Sequence, residues 1–179
     1  MRIYFIRNAE SHNNHMYFEH QSNQDRLVDP PLSAVGERQA LELEKFLADN
    51  KAEFNFDRIF ISPFLRTLQT AQSFAHLYPD IPKTVWMWIH EGGGCFEIES
   101  EEPRVTVGYP GMTRSEIEAQ FPGFDVSDEI TDEGWYFLPE MEPHSHRFYR
   151  AFHAVEHLIR EYGDTQETIA LVSHGGFHN

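Results

Sequence analysis

The sequence predicts an α/β fold: three layers, with a mostly parallel sheet covered by helices on both faces. Three observations lead there. Four short runs, 2–6 (RIYFI), 57–62 (DRIFIS), 84–89 (TVWMWI) and 168–173 (TIALVS), are apolar and rich in β-branched or aromatic residues, as strands buried on both faces require. Between them lie segments with helical periodicity and recognisable ends. Strand and helix therefore alternate, and that order calls for parallel strands joined by helical crossovers.

Each element has its own justification. The run 2–6 stops abruptly at Arg7 and Asn8. Residues 33–49 begin with Ser33 as N-cap and Glu37 in the first turn, and Leu43, Phe46 and Leu47 form an apolar stripe. Residues 63–77 open with Pro63, suited to the start of a helix. Residues 113–120 carry Thr113 and Glu116 at capping-box spacing. Residues 143–162 place Phe148, Ala151, Phe152, Val155 and Ile159 at helical spacing and stop at Gly163. Segment 92–142 fits the alternation poorly and reads as an elaborated crossover lying over one end of the sheet. Residues 1–179 thus read as a single domain. A strand at 168–173 is expected to be followed by a covering helix, so the C-terminal helix is expected to lie outside this sequence.

Composition narrows the function classes. With 40% hydrophobic and 14% aromatic residues the chain can bury a real core. No apolar run approaches the roughly 20 residues that span a bilayer. No signal peptide is visible, and the one cysteine, Cys95, can form no internal disulfide, so a cytoplasmic location is expected. The formal net charge of −15 argues against nucleic acid and anionic membranes as partners. It leaves room for a small phosphorylated ligand, which a few arginines can hold.

In parallel α/β sheets ligands bind beyond the carboxyl ends of the strands. There the sequence gathers Arg7, Asn8, Glu10, Ser11 and Asn14 after the first run, and Ser62, Pro63, Arg66 and Thr67 after the second. His90 and Glu91 follow the third, and Ser173, His174, Gly175 and Gly176 the fourth. Two guanidinium forks, imidazole and neutral donors describe a phosphate cradle. The helix opening near Pro63 is expected to add backbone N–H groups and the positive end of its dipole. Glu91 beside such a cradle suits a general acid for a leaving oxygen.

These segments resemble the histidine phosphatase superfamily, the phosphoglycerate mutase-like proteins. Arg7-Asn8-Ala9-Glu10-Ser11 is similar to that family's Arg-His-Gly/Ala-Glu-Ser, and Asn14 to its Ser-x-x-Asn. Residues 31–40 (PLSAVGERQA) resemble its P-L-[ST]-x-x-G-x-x-Q-A segment, and residues 62–71 (SPFLRTLQTA) its S-x-x-x-R-[AT]-x-x-T-A segment. Ser173-His174-Gly175-Gly176 matches its second histidine motif. The resemblance implies a phosphoglycerate mutase-like fold and phosphoryl transfer through a phosphohistidine, with no metal and no other cofactor. It implies Arg7, Asn14, Arg66 and His174 as phosphate-binding residues and Glu91 as proton donor, with His174 also catalytic.

At the nucleophile position this chain has Asn8. An amide nitrogen has no usable lone pair for phosphorus, yet its NH2 can donate to a phosphate oxygen. The expectation is therefore a phosphomonoester hydrolase whose Asn8 form binds phosphate without turnover; the intact surroundings resemble a substituted enzyme. The alternative is a natural pseudophosphatase with a regulatory or scaffolding role. A mutase is disfavoured, because Glu91 is followed by Gly92-Gly93-Gly94 and lacks the mutases' Glu-Arg-His-Tyr-Gly. Phe96, Tyr109, Trp135, Tyr136 and Phe137 either form a leaving-group pocket or simply pack the crossover on the sheet. His153 and His157 have helical spacing for two metal ligands, but nothing completes such a site.

Overall fold

The computed structural model describes residues 1–21 and 26–178. In chain order these form β1 (Arg2–Arg7), α1 (His12–His20), α2 (Ala34–Asp49), β2 (Arg58–Ile61), α3 (Leu65–Ala75) and β3 (Lys83–Val85). A 3-10 turn (Met87–Ile89) then leads to β4 (Phe96–Glu101), β5 (Arg104–Gly108), α4 (Arg114–Gln120), β6 (Asp125–Val126), α5 (His144–Tyr162), β7 (Thr168–Ser173) and α6 (Gly175–His178). The main sheet has the order β1-β7-β2-β3-β6, and each neighbouring pair is parallel.

Strand side chains alternate between the two faces, and each face has its own core. Ile59, Ile61, Ala170 and Val172 join Leu47 of α2 and Leu68, Ala71 and Phe74 of α3 in one apolar cluster. Phe60, Ile169 and Leu171 join Ala154 and Leu158 of α5 in another. The helix ends follow the sequence signals closely. Ser33 Oγ accepts from Gly36 N at 3.0 Å, and Thr113 and Glu116 complete a capping box.

The departures have physical causes. The strand expected over 84–89 pairs only over Lys83–Val85. Trp86 N still donates to Ile61 O at 2.8 Å, and the chain then tightens into the 3-10 turn that buries Ile89 in the α5-side core. α3 starts at Leu65, two residues beyond Pro63. The segment expected as crossover contains the β4–β5 hairpin, which forms its own two-stranded sheet, and also β6, which extends the main sheet beyond β3.

In α5 the apolar residues at helical spacing do not face the core: Phe148, Phe152, Val155 and Ile159 are 50–68% exposed. The buried residues are Arg150, Ala154 and Leu158. Ala154 lets the helix approach closely, and Arg150 serves a polar purpose that outweighs the stripe. Its Nε and Nη2 donate to Glu142 Oε1 and Oε2, both at 2.8 Å. Its Nη1 donates to the carbonyls of Trp88 at 3.0 Å and His90 at 2.9 Å. This buried clasp ties α5 and the end of the crossover to the segment that carries Glu91. Among the described residues no helix is long and apolar enough to cross a membrane.

Removing one member of a buried pair strands the other charge. Arg150→Met is expected to cost about 3–5 kcal/mol of unfolding free energy, read from the denaturant midpoint. The double variant Arg150→Met/Glu142→Leu should recover much of that loss.

Candidate active site

Parallel register assembles the site. Arg7 is paired with Ser173 on β7, and Ile61 with Val172. The residues that follow, Asn8, Ser62 and His174, consequently emerge side by side. Asn8 N donates to Ser173 O at 2.8 Å, and Ser62 Oγ lies 2.8 Å from His174 Nε2. Ser173 Oγ donates to Ile89 O at 2.6 Å and draws the Glu91 segment to the same rim.

The loop after β1 is braced by the two other motif segments. Ala9 N donates to Thr70 Oγ1 at 3.1 Å, and Glu10 N to Gln39 Oε1 at 2.8 Å. Ser33 N donates to Glu10 O at 3.0 Å, and Ser33 Oγ to Glu10 Oε1 at 2.6 Å. Gly36 packs so tightly here that a Cβ would stand 2.0 Å from Glu10 O, which only glycine avoids. Glu10, collected from sequence as a rim carboxylate, is thereby committed to the brace. Ser11 caps α1 with Asn14, whose Oδ1 accepts from Ser11 Oγ at 2.7 Å. That commitment engages the Asn14 Oδ1 and leaves its NH2 as the remaining side-chain donor.

Arg7, Asn8, Asn14, Arg66 and Glu91 line one cavity of about 270 Å³. The same cavity is lined by residues that the sequence did not single out: Arg26, Asn13, Tyr17 and Phe18. Arg66 is buried, with its guanidinium carbon 4.2 Å from the Phe64 ring centre. Burial pushes its pKa down, opposed by the nearby carboxylates of Asp29 and Glu91. Asn8 Nδ2 donates to Ala9 O at 2.8 Å.

His174 is not part of that lining; it lies behind, with no exposed surface. Among the described residues its Nδ1 has no hydrogen-bond partner, and it stands 3.9 Å from Glu91 Oε2. Burial, and then the positive charge of Arg66, press its pKa well below the ordinary histidine value, so the ring is neutral. With Nε2 engaged by Ser62, Nδ1 is a buried polar atom aimed at the carboxylate side of the cavity. Gly176 permits this crowding. At Gly176 a Cβ would come within 2.2 Å of Glu91 Oε1, whereas at Gly175 it would make only ordinary contact with Arg7 Nε, at 3.4 Å. Glu91 Oε1 also accepts from Gly92 N at 2.9 Å.

Two sequence expectations are revised. Most amides of the α3 N-terminus are already engaged: Leu65 N donates to Asp29 Oδ1 at 3.0 Å, and the amides of Thr67 and Leu68 donate to Phe64 O. His90 faces inward: its Nδ1 lies 2.9 Å from Glu91 O, and its ring packs on Trp135 and Tyr136. Burial brings its pKa down to about 3. Of the two readings of the aromatic cluster, the structure favours packing, since none of its five rings lines the arginine cavity. Trp135 and Tyr136 sit in the α2–α3-side core. With Phe137 they also border a separate apolar groove of about 630 Å³ against α5. His153 and His157 pack at a tilt against Trp88 and Trp86, with ring centres 4.5 and 5.1 Å apart. Among the described residues no group of three or more His, Cys, Asp or Glu stands ready to hold a metal ion.

A family model described as histidine phosphatase superfamily (branch 1) matches residues 3–101. The chain belongs to this superfamily. The match includes Arg7, Asn8, Arg66 and Glu91, whereas His174 falls beyond it. No curated protein matches the chain. Among solved structures it is similar to ecdysone phosphate phosphatase from Bombix mori, at TM-score 0.60 and 17% identity, covering 97% of this chain and 73% of that one. It is also similar to mycobacterial glucosyl-3-phosphoglycerate phosphatase, at TM-score 0.51 and 20% identity over 97% and 75% of the two chains. A mutant phosphoserine phosphatase from Entamoeba histolytica matches at TM-score 0.50 and 19% identity, over 98% and 75%. These likenesses establish the shared phosphoglycerate mutase-like fold.

Asp29 gives this site a pH signature. Burial raises its pKa to about 6, although Arg66 and the Leu65 amide pull the other way. Between the ordinary aspartate value of 3.8 and about 6 the folded chain holds a proton that the unfolded chain has released. Asp29 therefore lowers stability as pH rises through that window, and is without further effect above it. Unfolding free energies measured from pH 4 to 7 should fall for the parent relative to Asp29→Asn, whose curve lacks this step.

Proposed function

We propose that this protein binds phosphate monoesters in the arginine-lined cavity, and that the same chain with histidine at position 8 hydrolyses them. The observation that carries this reading is the convergence of Arg7, Arg66, Asn14 and Glu91 on one cavity that also includes Asn8. Support also comes from the family membership and from relatives of the same fold. The Bombix mori enzyme is a phosphatase in complex with tungstate, the mycobacterial one is in complex with VO3, and the Entamoeba histolytica mutant is in complex with phosphoserine.

The chemistry assigns each group a task. Arg7 and Arg66 neutralise the phosphoryl oxygens with charge-assisted hydrogen bonds, and the Asn14 and Asn8 amides add neutral donors. The Nδ1 of His174 supplies a further polar contact once Glu91 turns towards the leaving group. With histidine at position 8, the ring nitrogen attacks phosphorus as the bond to the ester oxygen breaks, and protonated Glu91 gives its proton to that oxygen. Water, deprotonated by the Glu91 carboxylate, then cleaves the P–N bond, which releases phosphate and restores both groups. Asn8 forms no P–N bond, so the parent chain retains binding and lacks turnover.

Two measurements test this. Asn8→His should acquire hydrolysis of p-nitrophenyl phosphate with an acid-labile, base-stable phosphoenzyme, while the parent shows none. The reading fails if the folded histidine variant is as inert as the parent. In calorimetric titration of the parent with inorganic phosphate, Arg66→Met should weaken binding by at least about tenfold, the effect of losing one charge-assisted pair.

A further inference from the structure

We infer that the cavity selects small phosphomonoesters whose leaving group carries a second anionic group, a carboxylate or another phosphoryl, and that Arg26 is the residue that recognises it. This deepens the phosphate-cradle reading and rests on it. The lining holds three guanidinium groups, Arg7, Arg26 and Arg66, against one carboxylate, Glu91. A single phosphate dianion matches two of the three cations. Arg26 is the surplus, and its position is unusual for a surface arginine. Its Nη1 donates to Phe96 O at 2.8 Å, and its guanidinium carbon lies 4.4 Å from the Phe96 ring centre. Among the described residues no carboxylate forms an ion pair with it. Burial lowers its pKa, as does the charge of Arg104. Arg26 in turn presses down the pKa of Arg66, so the two like charges feel each other across a half-enclosed space. An anion between and beyond them relieves both the repulsion and the desolvation.

Anchoring on Phe96 aims the remaining guanidinium donors without consuming the charge, which suits recognition of a second oxyanion. The neighbouring Asn13 is less available, because its Nδ2 donates to Leu27 O at 2.8 Å and its Oδ1 accepts from Leu27 N at 3.0 Å. That reciprocal pair fixes the chain next to Arg26. The cavity volume of about 270 Å³ stands at the low end for small-molecule sites, which favours a compact leaving group. The exposed rings of Tyr17 and Phe18 border the cavity and can cover a flat one.

The test is calorimetric titration of the parent chain, which binds without turnover under the proposed function, with a matched series. The probes are inorganic phosphate, 4-carbamoylphenyl phosphate, 4-carboxyphenyl phosphate and benzene-1,4-bisphosphate. The carbamoyl and carboxy esters are close in size and differ in charge. The carboxy ester or the bisphosphate, or both, should bind about tenfold tighter than the carbamoyl ester, the scale of one charge-assisted contact; which of the two does so tells carboxylate from phosphoryl recognition. Arg26→Gln should bring the ratio close to one, and Arg26→Lys should keep most of it. Equal affinities across the organic series, with inorganic phosphate still bound, overturn this inference and leave the cradle standing. A preference that survives Arg26→Gln overturns it as well. If none of the four anions binds, the cradle reading itself falls and this inference falls with it.

Discussion

Parallel pairing of β1 and β2 on the two sides of β7 is the constraint on which the site depends. A parallel sheet points all its strand ends the same way, so polar residues that follow three separate strands arrive at one rim. β2 and β7 are apolar and bury both faces, whereas the edge strand β1 is only half-buried. The transition at Arg7, Ser62 and Ser173–His174 is therefore abrupt: one residue further along, the chain changes from core to chemistry. A slip of one residue in this register would turn every side chain to the opposite face and scatter the rim.

Around that rim, much of the family sequence pattern acts as mechanical support. Gly36 admits the Glu10 carbonyl, Gln39 and Thr70 hold the backbone of the loop after β1, and Ser33 grips the Glu10 carboxylate. Thus the segments 31–40 and 62–71, distant from Asn8 in sequence, dictate where Asn8 stands. On the opposite side, Arg150 and Glu142 fix the carbonyls of Trp88 and His90 immediately before Glu91. A cavity rich in cations is expensive to desolvate, and these rigid braces prevent it from relaxing into internal ion pairs.

The sequence made the alternation of strand and helix legible, because runs such as TIALVS leave little ambiguity and caps such as Ser33 and Thr113 act locally. The positions of Arg7, Asn8, Arg66 and Glu91 on a common wall were legible for the same reason: each follows a strand. What stayed hidden has specific causes. α1 buries none of its side chains, so it has no apolar stripe to betray it, and with it Tyr17 and Phe18 escaped notice. Arg26 sits in a loop with no motif around it, and only its three-dimensional proximity to Arg66 gives it meaning. The hairpin β4–β5 is disguised by its glutamates. In α5 the strongest helical stripe faces outward, because the buried face is set by a small residue and an ion pair, which a periodicity argument undervalues. His174 presents the opposite case: its motif was plain, whereas its position behind Glu91 depends on packing.

The arginine-lined cavity sits in a chain with a formal net charge of −15. At long range an incoming dianion meets repulsion from the molecule as a whole, and only close to the mouth does attraction take over. Added salt screens the first interaction more than the second, since the Debye length is about 8 Å at physiological ionic strength. Moderate salt should thus speed anion entry into this pocket, the reverse of what is seen where an enzyme's overall field guides its ligand inward.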